Sequence, residues 1–273
     1  MKLAFSTNAF KRVSLEEAIS AIAACGYAGV ELMADVPHAY PPDMPADRIT
    51  RLLDQMQQLS LGVSNINAFT LFALGDTYHP TWIDADASIR RLRITHTAAC
   101  IAMAAALGAK TISLQPGGPL LGQSAQGALD WYAQGLHELL PIAHNHGITL
   151  TIEPEPGLLI QTSGQCMEFL TRMNDPNLRM NADLGHFYCV GEDPCTVLEN
   201  CAEFIAHIHV EDIPANRVHQ HLIPGTGAME FAAIFKTIKK INYQGWVTVE
   251  LYPYETTAEE AARKAIKFLR QYA

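Results

Sequence analysis

The 273-residue sequence has no uninterrupted apolar run of about 18 residues, which excludes a membrane-crossing helix. Positive charge is also scarce. Nineteen lysines and arginines stand against 28 acidic residues, giving a formal net charge of −9 with no basic run to offset it. An acidic surface repels phosphate backbones, so nucleic acid is not an expected partner. The six cysteines form no Cys-x-x-Cys pair and read as reduced thiols rather than a disulfide framework. Cys189, Cys195 and Cys201 are evenly spaced but have no strand-end histidine nearby, and they carry no metal or nucleophile signature. The segment from Met1 to Ser6 lacks the apolar stretch and cleavage site of a secretory signal, so a cytoplasmic location is expected. Also missing is a Gly-rich phosphate turn after the first β-type run. Thr7-Asn8-Ala9-Phe10 stands there instead, against a doubly wound dinucleotide-binding sheet.

What is present is apolar material, 49% of residues, arranged as a β-type run followed by a helical pattern, eight times over. The β-type runs are Leu3–Phe10, Ala28–Ala34, Gly62–Ala68, Thr111–Gln115, Thr149–Glu153, Arg179–Asp183, Ala206–Val210 and Trp246–Leu251. Several are nearly continuous apolar stretches, as in parallel strands buried on both faces. Ser14-Leu15-Glu16-Glu17 is a capping box before the first helix, and Gly26 ends that helix. Thr257-Ala258-Glu259-Glu260 repeats the box before a last helix with Ala261, Ala265, Phe268 and Leu269 on one face. Ala-rich Ile101–Leu107 predicts a helix packed closely on strands. Eight such units in this length predict an α/β fold, a (β/α)8 barrel formed by residues 1–273 as one domain. Two long loops stand out, Phe69–Asp86 after the third strand and Glu211–Glu230 after the seventh.

In a (β/α)8 barrel the chemistry lies at the C-terminal ends of the strands. Strands five to eight each end with one carboxylate or imidazole: Glu153, Asp183, His209 and Glu250. Each is one strand–helix unit from the next, so the four can converge. Three carboxylates in a semi-apolar site repel one another unless a cation compensates. Three carboxylates and one imidazole suit a hard to borderline divalent ion: Mn, Mg, Co or Zn. A strand-end acid can also cap the following helix, and Asp183 is placed to do so.

These features together resemble the xylose-isomerase-like barrel superfamily, which includes sugar-phosphate isomerases, ketose 3-epimerases, inosose dehydratases and endonuclease IV-type enzymes. The resemblance runs over the whole chain. It is carried by Ile152-Glu153-Pro154, Asp183-Leu184-Gly185-His186, His207-Ile208-His209-Val210-Glu211-Asp212, Pro224-Gly225-Thr226-Gly227 and Glu250. It implies that Glu153, Asp183, His209 and Glu250 hold one divalent metal. It also implies that Glu153 and Glu250 exchange substrate protons, as in the epimerase branch.

The loop Asn216-Arg217-Val218-His219-Gln220-His221 is the most distinctive segment. In an extended chain His219 and His221 point the same way, and His186 can face them. Two uses are open. The three imidazoles can hold a second metal, since the endonuclease-type branch binds an additional ion with this loop. Alternatively, His186 and Arg217 contact substrate, as their counterparts in the epimerase branch do. The endonuclease-type histidines after strands three and four are missing. Those rims carry Asn67 and Gln115, which offer polyol-binding amides and disfavour phosphodiester cleavage. The family's Gly-Glu-Gly reads Gly225-Thr226-Gly227. Glu155 can contact substrate or stabilise its loop, and Glu31 can face the pocket. His38, His79, His96, His137, His144 and His146 fit no ligand set. Phe10, Phe69 and Trp82 are candidates for an apolar wall at the mouth, with core packing as the alternative.

The expected function is a metal-dependent sugar or sugar-phosphate isomerase or epimerase that transfers a proton next to a carbonyl. The partners are a small polyol or sugar substrate, with neither nucleic acid nor membrane, and a homo-oligomer is compatible with all of this. An inosose-type dehydratase and a non-catalytic ligand-binding barrel are the alternatives.

Overall fold

The eight β-type segments pair in sequence order into a closed parallel barrel in a computed structural model that describes residues 1–273. The strands are β1 (Lys2–Ser6), β2 (Gly29–Met33), β3 (Gly62–Asn67), β4 (Thr111–Leu114), β5 (Thr149–Ile152), β6 (Leu178–Asp183), β7 (Ile205–Val210) and β8 (Trp246–Val249). Helices fill the crossovers: α1 (Leu15–Cys25), α2 (Ala46–Gln58), α3 (Ala87–Leu107), α4 (Ala125–His146) and α5 (Ser163–Met173). Two short helices, α6 (Leu184–Cys189) and α7 (Pro194–Asn200), follow β6, and α8 (Phe231–Lys240) and α9 (Ala258–Leu269) complete the ring. This is a single-domain (β/α)8 barrel. No helix is long and apolar enough to cross a membrane.

The strands are almost wholly buried because helices cover one face and barrel side chains the other. Closure is tight at the N-terminal end. The Trp246 indole lies against Gly29 and Gly62, where a Cβ would sit 2.5 and 3.0 Å from the ring. Register shifts at Val30/Glu31 in the β2–β3 pairing and at Met180/Asn181 in β6–β7 re-aim the residues that follow.

The Ser14 capping box forms as expected, with Glu17 Oε2 accepting from the Ser14 amide at 2.9 Å, and Gly26 takes a left-handed conformation. The Thr257 box does not form. Thr257 makes no side-chain cap, and Glu260 pairs with Lys264 one turn on. The first strand also ends earlier than Phe10. The Ser6 hydroxyl accepts from the Asn8 amide and turns the chain into a short 3-10 segment, Thr7–Ala9. Phe10 and Trp82 are core residues, packed on Phe5 and Tyr132.

The expected long loop after β3 is pinned to the mouth by buried charge. The Arg93 guanidinium, fully buried in α3, donates to Pro80 O (2.8 Å) and Phe69 O (2.9 Å). Asp35 accepts from the Phe72 and Ala73 amides. The Glu211–Glu230 loop folds around Asp212, whose carboxylate accepts from the amides of Gly225 (2.9 Å) and Gly227 (2.8 Å). Thr226, in the Gly-Thr-Gly turn, spends its hydroxyl on Ile223 O within the same loop.

Candidate active site and metal centre

Alternation along a strand sends every second side chain inward. On β6 these are Asn181 and Asp183, and on β7 His207 and His209. Glu153 and Glu250 follow directly on the last residues of β5 and β8. Glu153, Asp183, His209 and Glu250 bring one ligand atom each within 4.8 Å of one another. His209 Nδ1 lies 3.1 Å from Glu153 Oε1, 3.9 Å from Asp183 Oδ2 and 4.0 Å from Glu250 Oε1.

Asp183 caps the following helix, as its position allows, and keeps its second oxygen free. One oxygen caps α6, accepting from the His186 amide at 2.9 Å, while Oδ2 is buried without a hydrogen-bond partner. An unpaired buried carboxylate oxygen is costly, and a cation would satisfy it. With two further carboxylates and an imidazole nitrogen converging there, the donor set fits a divalent ion of the Mn, Mg, Co or Zn type.

The electrostatics reflect this crowding. Burial and the neighbouring Glu153 and Glu31 carboxylates raise the Glu250 carboxyl well above its ordinary range, despite His209 nearby. Burial disfavours charge on Asp183, but the imidazoles of His186, His221 and His209 outweigh it and lower its pKa. Burial lowers the His186 pKa, yet the Asp183 and Glu155 carboxylates win and push it to about 9. Burial raises Glu155 to about 7.

Above the four residues lies a cavity of about 310 Å³. Glu153, Glu250, Asn67, Glu155, His186 and His219 line it, whereas Asp183, His209 and His221 sit beneath that surface. Phe69, Phe72, Tyr78 and Tyr252 supply aromatic wall. Hydrogen bonds fix the glutamates. Asn8 and Asn67 donate to Glu250 Oε1 at 2.8 and 3.1 Å, and Asn181 donates to Glu153 Oε2 at 2.9 Å. Glu155 lies 3.3 Å from His186 Nε2 and 3.6 Å from His219 Nδ1.

The second constellation also assembles. His186, His219 and His221 form a cluster in which His219 Nε2 and His221 Nε2 are 3.1 Å apart. His186 Nδ1 donates to Pro154 O and His221 Nδ1 to Glu250 O, both at 2.9 Å, which leaves the His221 Nε2 lone pair inside the cluster, while His186 Nε2 faces Glu155.

Two expected substrate contacts do not reach the cavity. Arg217 is exposed, with its guanidinium stacked 4.5 Å over the Tyr188 ring and donating to Tyr188 O, so the loop turns it outward. Gln115 is buried, and its amide donates to Tyr78 O at 3.0 Å, securing the wall rather than lining the cavity. The sequence reading missed Asn8, Tyr78, Asn181, His207, Glu211 and Tyr252. Spacing two residues from a recognised residue signals Asn181, His207, Glu211 and Tyr252. No local signal marks Asn8 or Tyr78. Glu211 is fully buried with neither carboxylate oxygen hydrogen-bonded, and burial with the Asp183 charge beside it raises its pKa strongly. Gly185 leaves it room, since a Cβ there would strike Glu211 Oε1. Of the remaining histidines, His96 stacks on Tyr40, and His144 pairs with Asp175.

A family model described as xylose isomerase-like TIM barrel matches residues 19–272. Among curated proteins, the inosose dehydratase of Lacticaseibacillus casei is 27% identical over 293 residues, covering 95% of this chain and 90% of that protein. Among solved structures, the IOLI protein with a bound zinc atom superposes with a TM-score of 0.82 at 20% identity, covering 100% of this chain and 99% of that one. The apo form of 3-keto-D-glucoside 4-epimerase from E. coli gives a TM-score of 0.82 at 18% identity, with 99% of each chain covered. Both structural likenesses are of fold.

Proposed function

The chain belongs to the xylose isomerase-like TIM barrel family, and we propose that it is a metal-dependent isomerase or epimerase. Its substrate would be a small polyhydroxylated carbonyl compound: a sugar, a sugar phosphate or a cyclitol. The observation that carries this reading is the convergence of Glu153, Asp183, His209 and Glu250 beneath a substrate-sized cavity.

Glu153, Asp183, His209 and Glu250 would hold one divalent cation, which when bound supplies positive charge that stabilises a developing oxyanion and acidifies the adjacent C–H. The proton transfers belong to the two glutamates. They approach from β5 and β8, so one can take a proton from one face of the carbon and the other return one to the opposite face. Asn8, Asn67 and Asn181 hold the two carboxylates in place. Glu155, His186 and His219 offer hydrogen bonds to hydroxyls, and Phe69 and Phe72 present flat apolar surface to the C–H face of a ring. Arg217 reaches substrate in this reading only if its loop turns inward.

The dehydratase reading uses the same first proton abstraction and then expels a β-hydroxide. It is supported by the inosose dehydratase relatives and by His186, which the Asp183 and Glu155 carboxylates keep protonated and able to donate to a leaving hydroxide.

The deciding experiment is incubation with a panel of ketoses and keto-inositols in deuterated water with Mn or Mg. Deuterium next to the carbonyl with an epimerised or isomerised product is the expected result, and loss of water selects the dehydratase. No exchange across the panel would leave a ligand-binding barrel and overturn catalysis.

A further inference from the structure

Glu31 lies in the middle of the barrel, away from the cavity lining, yet it is linked to both halves of the site. It is fully buried on β2, at the register shift against β3. His209 Nε2 is 2.6 Å from Glu31 Oε2, and Asn65 Nδ2 donates to the same oxygen at 2.9 Å. The other oxygen accepts from Asn67 Nδ2 at 3.3 Å, and that same amide donates to Glu250 Oε1 at 3.1 Å.

We propose that Glu31 is a positioning residue: it fixes which nitrogen of His209 faces the metal centre and, through Asn67, where the Glu250 carboxylate points. This rests on the reading of Glu153, Asp183, His209 and Glu250 as one ligand set. A neutral imidazole carries one N–H and one lone pair. An ionised carboxylate only accepts, so the Glu31 contact places the hydrogen on Nε2. Nδ1 is then left as the lone pair, and Nδ1 is the nitrogen that faces Glu153, Asp183 and Glu250. A carboxylate behind a ligating histidine also raises its basicity as a donor. Asn67 uses both hydrogens of its amide, one on Glu31 and one on Glu250, so a change at residue 31 reaches the second glutamate without touching it. His207 adds an imidazole 3.5 Å from Glu31 Oε2.

The test measures zinc affinity by competition with a chromogenic chelator for the wild type, Glu31→Gln and Glu31→Leu. Thermal melts of the metal-free proteins check that each variant folds. Glutamine preserves the volume and an acceptor for His209 but removes the charge and sets an amide hydrogen against Asn67. It is expected to weaken zinc binding about tenfold, and leucine up to about a hundredfold. The zinc-loaded wild type should show a hydrogen on His209 Nε2 by nitrogen-15 NMR, with its resonance shifted in the leucine variant by loss of the carboxylate partner. The visible spectrum of the cobalt-loaded glutamine variant should differ from that of the wild type. A packing role alone predicts wild-type zinc affinity and cobalt spectrum for Glu31→Gln, and that result overturns the proposal. A wild type that binds no divalent ion overturns the proposed function and this inference with it, a result distinguishable from failure at Glu31 alone.

Discussion

The Nε2 atoms of His219 and His221 face each other at 3.1 Å, too close for both to present lone pairs. His221 gives its Nδ1 hydrogen to Glu250 O, so the hydrogen between the two rings belongs to His219. Burial lowers the pKa of His219 to about 4 and of His221 to about 3, keeping both rings neutral at pH 7. A zinc ion held by these two rings and His186 would displace the extra proton of His186 and move the His219 hydrogen to Nδ1.

At saturating zinc the wild type is therefore expected to take up two equivalents, and His219→Ala one, read by elemental analysis after desalting. One equivalent in both proteins would assign these imidazoles to substrate hydroxyls instead.

Glu250→Gln is expected to lower proton exchange by about 10²- to 10⁴-fold, the usual contribution of a general base. The fold should survive, because a neutral amide relieves the burial that raises the Glu250 pKa and keeps an oxygen for Asn8 and Asn67. Isotope exchange and a thermal melt measured together separate the two effects. Normal turnover would remove Glu250 from the acid–base pair.

His96 gives a pH prediction independent of the metal centre. Burial lowers its pKa from the ordinary 6.5 to about 3. Below pH 6.5 the unfolded chain binds a proton that the folded chain refuses, so stability falls as the pH drops towards 3. The slope is at most about 1.4 kcal/mol per pH unit for this one group. His96→Gln should flatten that part of the acid limb in urea titrations at pH 6.5 and 4.5. An unchanged slope would show that His96 is protonated in the native state.

Arg93→Met should loosen the wall of the cavity. It leaves the carbonyls of Ala68, Phe69 and Pro80 without their guanidinium, at a cost of about 2–3 kcal/mol. Because that segment carries Phe69 and Tyr78, KM should rise more than kcat falls. Equal changes in both, or none, would disconnect the loop from substrate binding.

The barrel was legible because each strand is marked twice, by apolar continuity and by the punctuation around it. The four converging residues were legible because strand ends in a (β/α)8 barrel share one rim. What escaped was contact between distant positions. Nothing near Glu31 announces that its carboxylate meets His209, since the two are adjacent only after β2 and β7 face each other across the closed ring. Arg217 was misplaced for the opposite reason. Its loop offered a residue type suited to substrate, but a backbone φ of 62° and the Tyr188 ring turn it outward. The Thr257 box failed because Glu260 has a better partner in Lys264, a competition that a four-residue pattern does not contain.

The indole of Trp246, set into the space where Gly29 and Gly62 lack side chains, gives the molecule two ends with different tolerances. At that end, adding a single methyl group at either glycine would press on the indole and displace it. At the other end the rim residues are held by hydrogen bonds among themselves, and the loops above them bear little of the closure. New specificity can be grafted onto the exposed segment around Val218 without re-engineering the ring, which makes this chain a suitable scaffold for loop exchange there.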